Sequence, residues 1–233
     1  MKVERNKALE RKCLDKIKAW LQRRPRSDKG WHVSDLLYPR KTFWRKLKPV
    51  PMTDKEALFF VAGHGHHNVL EAMLGPRDKE EKRSDAGEFE KYGIFFSPDL
   101  RMKYPIEIKT SRAQKIKADY EDPAEVYEGY LKQETSYQGL LKSVKGALLV
   151  LFISVKKGWK NDPQLRFYTV KLSKKELSDR VKWLRAGAKA LTEAVKKKKC
   201  DKLPLCPTWL CRKDECAWFK QCKPWVVDPK RKG

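Results

Sequence analysis

The chain has 233 residues, of which 54 are Lys or Arg and 30 are Asp or Glu, so its formal net charge is +24. Its composition is that of a globular protein, which excludes collagen-like and low-complexity classes. The longest wholly apolar run, Ala147 to Ile153, is too short to cross a bilayer, and the charged first ten residues lack the apolar core of a secretory signal. We expect a soluble protein, cytoplasmic or intracellular viral, whose partner is nucleic acid and not a membrane.

Helical periodicity dominates the first third of the chain. Residues 5–22 carry one apolar stripe among Lys and Arg side chains, which is typical of an amphipathic helix. Val33 to Tyr38 is a shorter segment with Ser34 as its expected cap. Thr53 is the expected cap of a long helix from Asp54 to Leu74.

The pattern then changes to strands. After a highly charged surface excursion over 77–91, Tyr92 to Ser97 predicts a strand, and Tyr104 to Thr110 predicts its hairpin partner. Residues 111–122 are polar and predict a loop.

Two more strands lie between two helices in the last third. The helices are expected from Pro123 to Lys145 and from Ser173, as cap, to Lys199. The continuous apolar run Ala147 to Val155 predicts a central buried strand, with Leu165 to Leu172 as the next one. This order predicts an α/β fold with a mixed central sheet flanked by helices.

The composition divides the chain into four predicted regions. They are a basic N-terminal helix (1–30), an α/β core (31–199), a small cysteine-rich lobe organised by metal (200–225) and a basic tail (226–233).

The most informative motif is an aspartate followed eight residues later by Glu-Ile-Lys. Glu107 and Lys109 are two residues apart on a predicted strand, so their side chains share a face. A hairpin would bring Asp99 beside Glu107. Two carboxylates on one edge are suitable ligands for Mg²⁺ or Mn²⁺, and a neighbouring lysine can orient water or stabilise phosphorane charge. Because acid-x-Lys pairs also occur by chance on solvated strands, the motif alone is only a hypothesis.

Two helical pairs add to this motif. His67 and Glu71 are four residues apart on the long helix, and Gln133 and Tyr137 are four apart on the next one. Each pair alone is typical of an ordinary helix.

The ordered set, with Val33 to Lys41 as an N-terminal motif, resembles the RecB-like branch of the PD-(D/E)XK nuclease superfamily. The likeness spans residues 33–222 and is strongest to the CRISPR-associated iron–sulfur exonucleases. It implies a restriction-endonuclease-like core and a metal-dependent DNA nuclease. It also implies DNA with single strands or free ends as substrate, and recombination or CRISPR-adaptation proteins as partners.

The resemblance also implies roles for individual residues. His67, Asp99, Glu107 and the Ile108 carbonyl would bind the catalytic metal, and Lys109 would be the catalytic lysine. Gln133 and Tyr137 would position the DNA strand or support the site. Glu71 could lie behind the metal ligands or be a surface acid.

Five of the six cysteines lie in the last 34 residues, and a reducing compartment makes a metal or iron–sulfur site more common there than disulfides. Four thiolates, Cys206, Cys211, Cys216 and Cys222, can bind one [4Fe–4S] cluster or one Zn²⁺ ion. The resemblance favours iron–sulfur and implies a structural role.

The family pattern is matched only in part. The family ends in Cys-x2-Cys-x5-Cys and takes a fourth cysteine from the N-terminal motif, where this chain has Tyr38. The x5 gap is present before Cys222, but the preceding gap is x4. Cys206 is the simplest fourth ligand, with Cys13 or Cys200 as the alternatives. Cys13 is expected to be a buried structural thiol and Cys200 a free surface thiol.

Two function classes remain open on the sequence. The first is the metal-dependent nuclease, acting as an exonuclease or as an endonuclease on duplex or branched DNA. The second is a non-catalytic DNA-binding platform within a larger complex. Aromatic residues among the basic ones, such as Trp31 and Tyr38, are suited to single strands, where bases stack and phosphates pair with cations.

Overall fold

The computed structural model describes residues 7–22, 29–74, 89–157, 160–213, 216–228 and 230. The helices are α1 (Lys7–Gln22), α2 (Val33–Leu37), α3 (Pro39–Leu47), α4 (Asp54–Leu74), α5 (Pro123–Val126), α6 (Glu128–Leu141), α7 (Lys174–Lys197), α8 (Phe219–Cys222) and α9 (Pro224–Val227). The strands are β1 (Trp31–His32), β2 (Phe89–Lys91), β3 (Ile94–Phe96), β4 (Leu100–Arg101), β5 (Pro105–Ser111), β6 (Lys145–Lys157) and β7 (Lys160–Lys171).

The strands form two sheets. The smaller sheet has the order β1-β3-β2, and the larger one has the order β4-β5-β6-β7. Each mixes parallel and antiparallel pairs, since β1 is parallel to β3 and β5 is parallel to β6. Helices pack against the sheets, and the predicted mixed α/β class is confirmed.

The predicted hairpin between Tyr92–Ser97 and Tyr104–Thr110 is wrong. The strand β3 pairs with β1 and β2, whereas β5 pairs with β4 on one side and β6 on the other. The reason is that the chain leaves the small sheet after Phe96 and forms the two-residue strand β4, which folds back on β5. The hairpin therefore exists, but between β4 and β5.

The strand β6 is the centre of the larger sheet, as its continuous apolar run predicts. Leu148 and Val150 are fully buried on one face of β6, and Ala147 and Leu149 are buried on the other. Parallel pairing with β5 aligns Glu107 with Leu148 across the two strands. The candidate site is thus attached to the best-buried strand of the fold.

Two of the three predicted helix caps are confirmed. The backbone N–H of Glu56 donates to the Thr53 hydroxyl at 3.2 Å, and Ser173 caps α7 in the same way. Ser34 is not a cap, because α2 begins at Val33 and the Asp35 carboxylate accepts the His32 N–H at 3.0 Å.

One predicted helix is divided in the structure. The segment from Pro123 to Lys145 forms α5 and α6, because Tyr127 leaves helical geometry between them (φ −108°, ψ 22°). Its ring packs on Tyr168, with 5.2 Å between centroids.

The cysteine-rich segment after α7 is attached by side-chain hydrogen bonds to α3 and to Lys48, the residue that follows it. The buried Arg40 guanidinium donates to the Leu203 carbonyl at 2.6 and 3.0 Å and to the Asp201 carbonyl at 3.1 Å. The Trp218 indole donates to the Lys48 carbonyl at 2.8 Å. Within the described residues, no helix is long and apolar enough to cross a membrane.

Parts of three predictions lie outside the described residues. They concern residues 1–6 and 23–28 of the N-terminal region, most of the 77–91 excursion, and positions 229 and 231–233 of the tail. The predicted tail begins within α9.

Candidate active site

Asp99 is positioned by the reversal of the chain between β3 and β5. It directly precedes β4, which pairs antiparallel with β5 through Leu100 and Ile106. Its Oδ2 accepts the backbone N–H of Ile108 at 2.6 Å. The carboxylate is thereby fixed against the strand that carries the Glu-Ile-Lys motif.

Glu107 and Lys109 lie on the same face of β5, as strand alternation predicts. Glu107 is completely buried, and its Oε1 accepts a hydrogen bond from the Lys109 ammonium. Its Oε2 has no hydrogen-bond partner in the described part of the chain. Such a buried, unsatisfied oxygen is costly unless a ligand engages it, so Glu107 has one oxygen bound to lysine and one available to a metal.

The electrostatics of this pair are dominated by burial. Burial, together with the charges of Asp99 and Glu71, raises the pKa of Glu107 to about 8 against the opposing effect of Lys109. Burial lowers the pKa of the Lys109 ammonium. The charges of Glu107 and Asp99 outweigh this effect, so the pKa is raised overall. A positive ion beside Glu107 would therefore displace a proton from it.

The helix α4 adds two ligand groups to the same place. His67, Glu71 and Asp99 each offer an atom within 4.8 Å of the other two, and His67 Nδ1 is 3.6 Å from Asp99 Oδ1. Burial lowers the pKa of His67 and Lys109 lowers it further, although Asp99 and a hydrogen bond to the Ile108 backbone act in the opposite direction. A neutral imidazole is the form that binds a metal.

The second helical pair lies behind the carboxylates. The Gln133 amide donates to the Tyr137 hydroxyl at 2.7 Å, and the Tyr137 ring packs on Phe96 with 6.2 Å between centroids. Tyr137 is only 4% exposed. Burial and the charge of Glu107 raise its pKa well above the ordinary value. The sequence left two roles open for this pair, which are positioning of the DNA strand and support of the site. The burial of Tyr137 favours support.

Two residues near the site were not predicted. Glu134 on α6 is fully buried against Gly146, where an added Cβ would lie 2.0 Å from its Oε1. Burial, followed by the charge of Glu107, raises the pKa of Glu134 to about 9. Tyr130 places its ring 5.6 Å from the Lys109 ammonium. No sequence signal marks either one, because Glu and Tyr on a helix are usually solvated.

A cleft of about 1100 Å³ opens beside Tyr130. Its aromatic walls are Tyr38, Tyr127, Tyr130, Trp183 and Trp209. Its lining also includes charged residues of both signs, among them Lys115, Lys117, Lys132, Glu121, Glu125 and Glu128. Because its charges are mixed, the aromatic rings are what distinguish this surface, which we call the aromatic cleft.

The four cysteines predicted as ligands lie close together. Burial, together with the charges of Cys211, Cys216 and Cys222, raises the pKa of Cys206 to about 11 against the opposing effect of a hydrogen bond to the Lys41 backbone. Burial likewise raises the pKa of Cys216. Neutral thiols are poor ligands, so a bound metal would have to displace their protons.

Both predictions for the other two cysteines are wrong. Cys13 is exposed, because α1 packs mainly against α4 and leaves most of its stripe uncovered. Cys200 is 7% exposed and belongs to the main core cluster. Burial raises the pKa of its thiol. The charge of Arg40 lowers this pKa, and the charge of Cys222 raises it. The chain after the lysine run turns inward, whereas a charged neighbourhood in sequence predicts a surface.

Comparison with known proteins shows the fold. No family model matches the chain, and no curated protein matches it significantly. Among the solved structures that resemble it is the protein SSO0001, with a TM-score of 0.58 at 18% identity over 97% of this chain and 98% of that one. At this identity the two chains share a fold.

Two further structures are described as exonucleases. A phage-related exonuclease from Haemophilus somnus 129PT has a TM-score of 0.45 and 12% identity over 71% of this chain and 82% of that one. The alkaline exonuclease LHK-Exo from Laribacter hongkongensis has a TM-score of 0.46 and 14% identity over 82% and 100%.

Proposed function

We propose that this protein is a metal-dependent DNA nuclease. The observation that carries the proposal is the convergence of Asp99, Glu107 and Lys109 on β4–β5 with His67 and Glu71 on α4. A buried acid with a free oxygen, a neutral imidazole and a lysine on one sheet edge form a suitable set for phosphodiester hydrolysis. The strong positive charge of the chain favours a polyanionic substrate.

His67, Asp99 and Glu107 would hold Mg²⁺ or Mn²⁺, with the Ile108 carbonyl as a further ligand. The ion supplies Lewis acidity toward the phosphate and lowers the pKa of bound water. Lys109 carries a positive charge beside Glu107, where it can orient the attacking water and stabilise the charge that develops on phosphorus. Water adds to phosphorus, the bond to the leaving sugar oxygen breaks, and that oxygen takes up a proton.

The aromatic cleft supports a single strand or a frayed end as the substrate. Bases can stack on its rings in a way that a paired duplex does not allow. Tyr130 borders this cleft and also contacts Lys109, so a strand lying in the cleft would pass the catalytic lysine.

We infer that Cys206, Cys211, Cys216 and Cys222 hold a [4Fe–4S] cluster with a structural role. The charges of Cys211, Cys216 and Cys222 all act on the Cys206 thiol, which supports one shared centre. Four thiolates are suitable for either a [4Fe–4S] cluster or a Zn²⁺ ion. The choice of iron–sulfur rests on the resemblance of the sequence to the iron–sulfur exonucleases. Iron, labile sulfide and zinc analysis of anaerobically purified protein distinguishes the two, and stoichiometric zinc without iron would overturn the inference.

The nuclease proposal is tested by cleavage of end-labelled single-stranded and duplex DNA. Wild type is compared with Lys109→Ala in Mg²⁺, Mn²⁺ and EDTA, and Lys182→Ala, an exposed lysine of α7, is the matched control. We expect metal-dependent cleavage that is lost in Lys109→Ala and retained in Lys182→Ala, with DNA binding nearly unchanged. Binding without cleavage under every metal condition would favour the platform function. A ladder of end products would indicate an exonuclease, and internal cuts an endonuclease.

A further inference from the structure

A second cleft, of about 810 Å³, lies away from the candidate active site. It opens between α3 and α7 at the start of β1 and β3, and Trp31 and Gly93 line it. Asp99 follows the other end of β3. The chain advances by six residues from Gly93 to Asp99, which places these two residues at most about 20 Å apart. The two sites therefore lie at opposite ends of one strand.

This surface, which we call the basic cleft, is distinguished by its charge. Six cationic side chains line it: Lys29, Arg45, Lys46, Arg185, Lys189 and Lys196. Asp35 is its one acidic lining residue among the described part of the chain, and its carboxylate accepts a hydrogen bond from Arg45 at 2.5 Å. The described lining therefore holds six cations and one acid.

The cations are arranged in a line. Arg185, Lys189, Thr192 and Lys196 follow one another at spacings of four, three and four residues, which places them on one face of α7. At 1.5 Å per residue this line is about 16 Å long. A single phosphate needs only one end of such a line, whereas a phosphodiester chain can contact all of it.

An exposed aromatic ring borders the line. Tyr92 is 52% exposed, and the Arg185 guanidinium lies 5.3 Å from its ring centroid. Tyr92 and Gly93 both have positive φ (59° and 70°), so the tight turn before β3 holds the ring outward. Trp31 lies deeper, where its indole donates to the Thr192 hydroxyl at 2.8 Å. Aromatic rings among cations are typical of nucleic-acid surfaces.

The alternative is a solvated basic face. Basic residues near a helix C-terminus interact favourably with its dipole, which explains Lys196 in the last turn of α7. Arg185 and Lys189 lie in the interior of the helix, where this effect has faded. The helix dipole therefore does not explain why Arg185 and Lys189 both face the cleft.

We propose that the basic cleft binds the phosphate backbone of the nucleic acid at a distance from the scissile bond. The proposal rests on the nuclease function, because the strand that it holds is the one cut near Asp99. A substrate must be long enough to reach both sites. At about 3.4 Å per nucleotide, a stacked five-nucleotide fragment spans about 14 Å, too short to cover both the active site and the line of cations, whereas a 30-nucleotide strand can occupy both.

The test compares two double variants with the same change in charge. Arg185→Gln/Lys189→Gln alters the basic cleft, and Lys174→Gln/Lys182→Gln alters exposed lysines of α7 outside it. Anisotropy of labelled (dT)5 and (dT)30 is measured at several salt concentrations, and cleavage of both lengths is measured with Mg²⁺. Circular dichroism confirms that both variants are folded.

We expect the cleft variant to bind (dT)30 roughly tenfold more weakly than the control variant, with a salt slope lower by about 1 to 1.5. Its binding and cleavage of (dT)5 should match those of wild type. Equal losses in the two variants, or equal losses for the two lengths, would overturn the proposal. Unaltered (dT)30 binding combined with weaker binding of an acidic peptide would overturn it in favour of a protein partner.

Failure of the nuclease function is distinguishable from failure of this proposal. Anisotropy does not require cleavage, so a cleft effect on (dT)30 without Lys109-dependent cutting would refute only the catalytic role. Lys109-dependent cutting with unaltered (dT)30 binding in the cleft variant would refute only the cleft.

Discussion

The sheet edge at β4–β5 and the C-terminal cysteine segment both gather metal-binding side chains, but they are built in different ways. The carboxylate site draws residues from β5, from the turn before β4 and from α4, and strand pairing holds them in place. The proposed cluster ligands of the cysteine segment come from residues 206–222, whose described part contains turns and the short helix α8. Strand pairing thus places the first set of side chains, whereas the second set is held by a few anchors such as Arg40 and Trp218.

Removing a carboxylate from the first site should produce the largest effect. Asp99→Asn keeps an oxygen that can accept the Ile108 N–H, so the fold should persist. We expect cleavage to fall by roughly 10³-fold through loss of a charged metal ligand, with an unchanged melting temperature. Single-turnover cleavage and calorimetry measure the two. Asp179→Asn, an exposed helix acid, is the control, and a matching loss in that variant would contradict the assignment.

The opposite result is expected in the cysteine segment. Cys206→Ser should abolish iron content, lower the melting temperature by several degrees and expose residues 200–225 to proteolysis, because the three thiols left behind cannot hold the whole cluster. Cys13→Ser is the matched control, since Cys13 is exposed. Retained iron and unaltered protease resistance in Cys206→Ser would show that Cys206 is not a ligand.

Arg40 anchors the cysteine segment, and its Nη1 also donates to the Sγ of Cys222 at 3.9 Å, so its replacement tests the anchor together with one proposed ligand. Arg40→Met removes three hydrogen bonds to the carbonyls of Asp201 and Leu203 from a buried site. We expect a loss of about 3 kcal/mol in the free energy of unfolding, measured by denaturant titration. Arg166→Met, which breaks a surface pair with Asp119 and local hydrogen bonds to Leu165 and Gln164, should cost less than about 1 kcal/mol. Similar costs for the two variants would mean that the anchor does not hold the segment.

The last expected effect depends on pH and concerns Glu134, the buried acid behind the carboxylate site. Its pKa of about 9 in the folded state exceeds the ordinary value of 4.5, so the folded state retains a proton that the unfolded chain releases between these values. Stability of the wild type therefore falls as pH rises through this interval.

Glu134→Gln removes that dependence. Its stability should equal that of the wild type near pH 5 and exceed it increasingly toward pH 9, by up to about 1 kcal/mol per pH unit. Thermal melts at several pH values measure this difference. A difference that does not change with pH would show that Glu134 is ionised in the folded protein.

Local signals in the sequence predicted a large part of the fold. Capping residues Thr53 and Ser173 marked the starts of α4 and α7, and the apolar run beginning at Ala147 marked the central strand. The spacing of Asp99, Glu107 and Lys109 predicted their proximity, because strand alternation and a short reversal suffice to produce it.

The parts that were missed depend on long-range packing. The strands of the small sheet have only two or three residues, too few to show a period. The burial of Glu134 and Cys200 results from helices and turns that close over them, and their sequence neighbours are polar or basic. The basic cleft combines α3 with the distant α7, so it cannot be seen before the two helices are placed together.

The central claim is that the sheet edge binds the catalytic metal, and a Mn²⁺ titration tests it most directly. Wild type, Asp99→Asn and Cys206→Ser are titrated by calorimetry, and cleavage of single-stranded DNA is followed in the same samples. We expect wild type to bind Mn²⁺ and to cleave as it binds, and Asp99→Asn to lose both properties, while Cys206→Ser retains the Mn²⁺ site. Undiminished Mn²⁺ binding and cleavage in Asp99→Asn would contradict the claim.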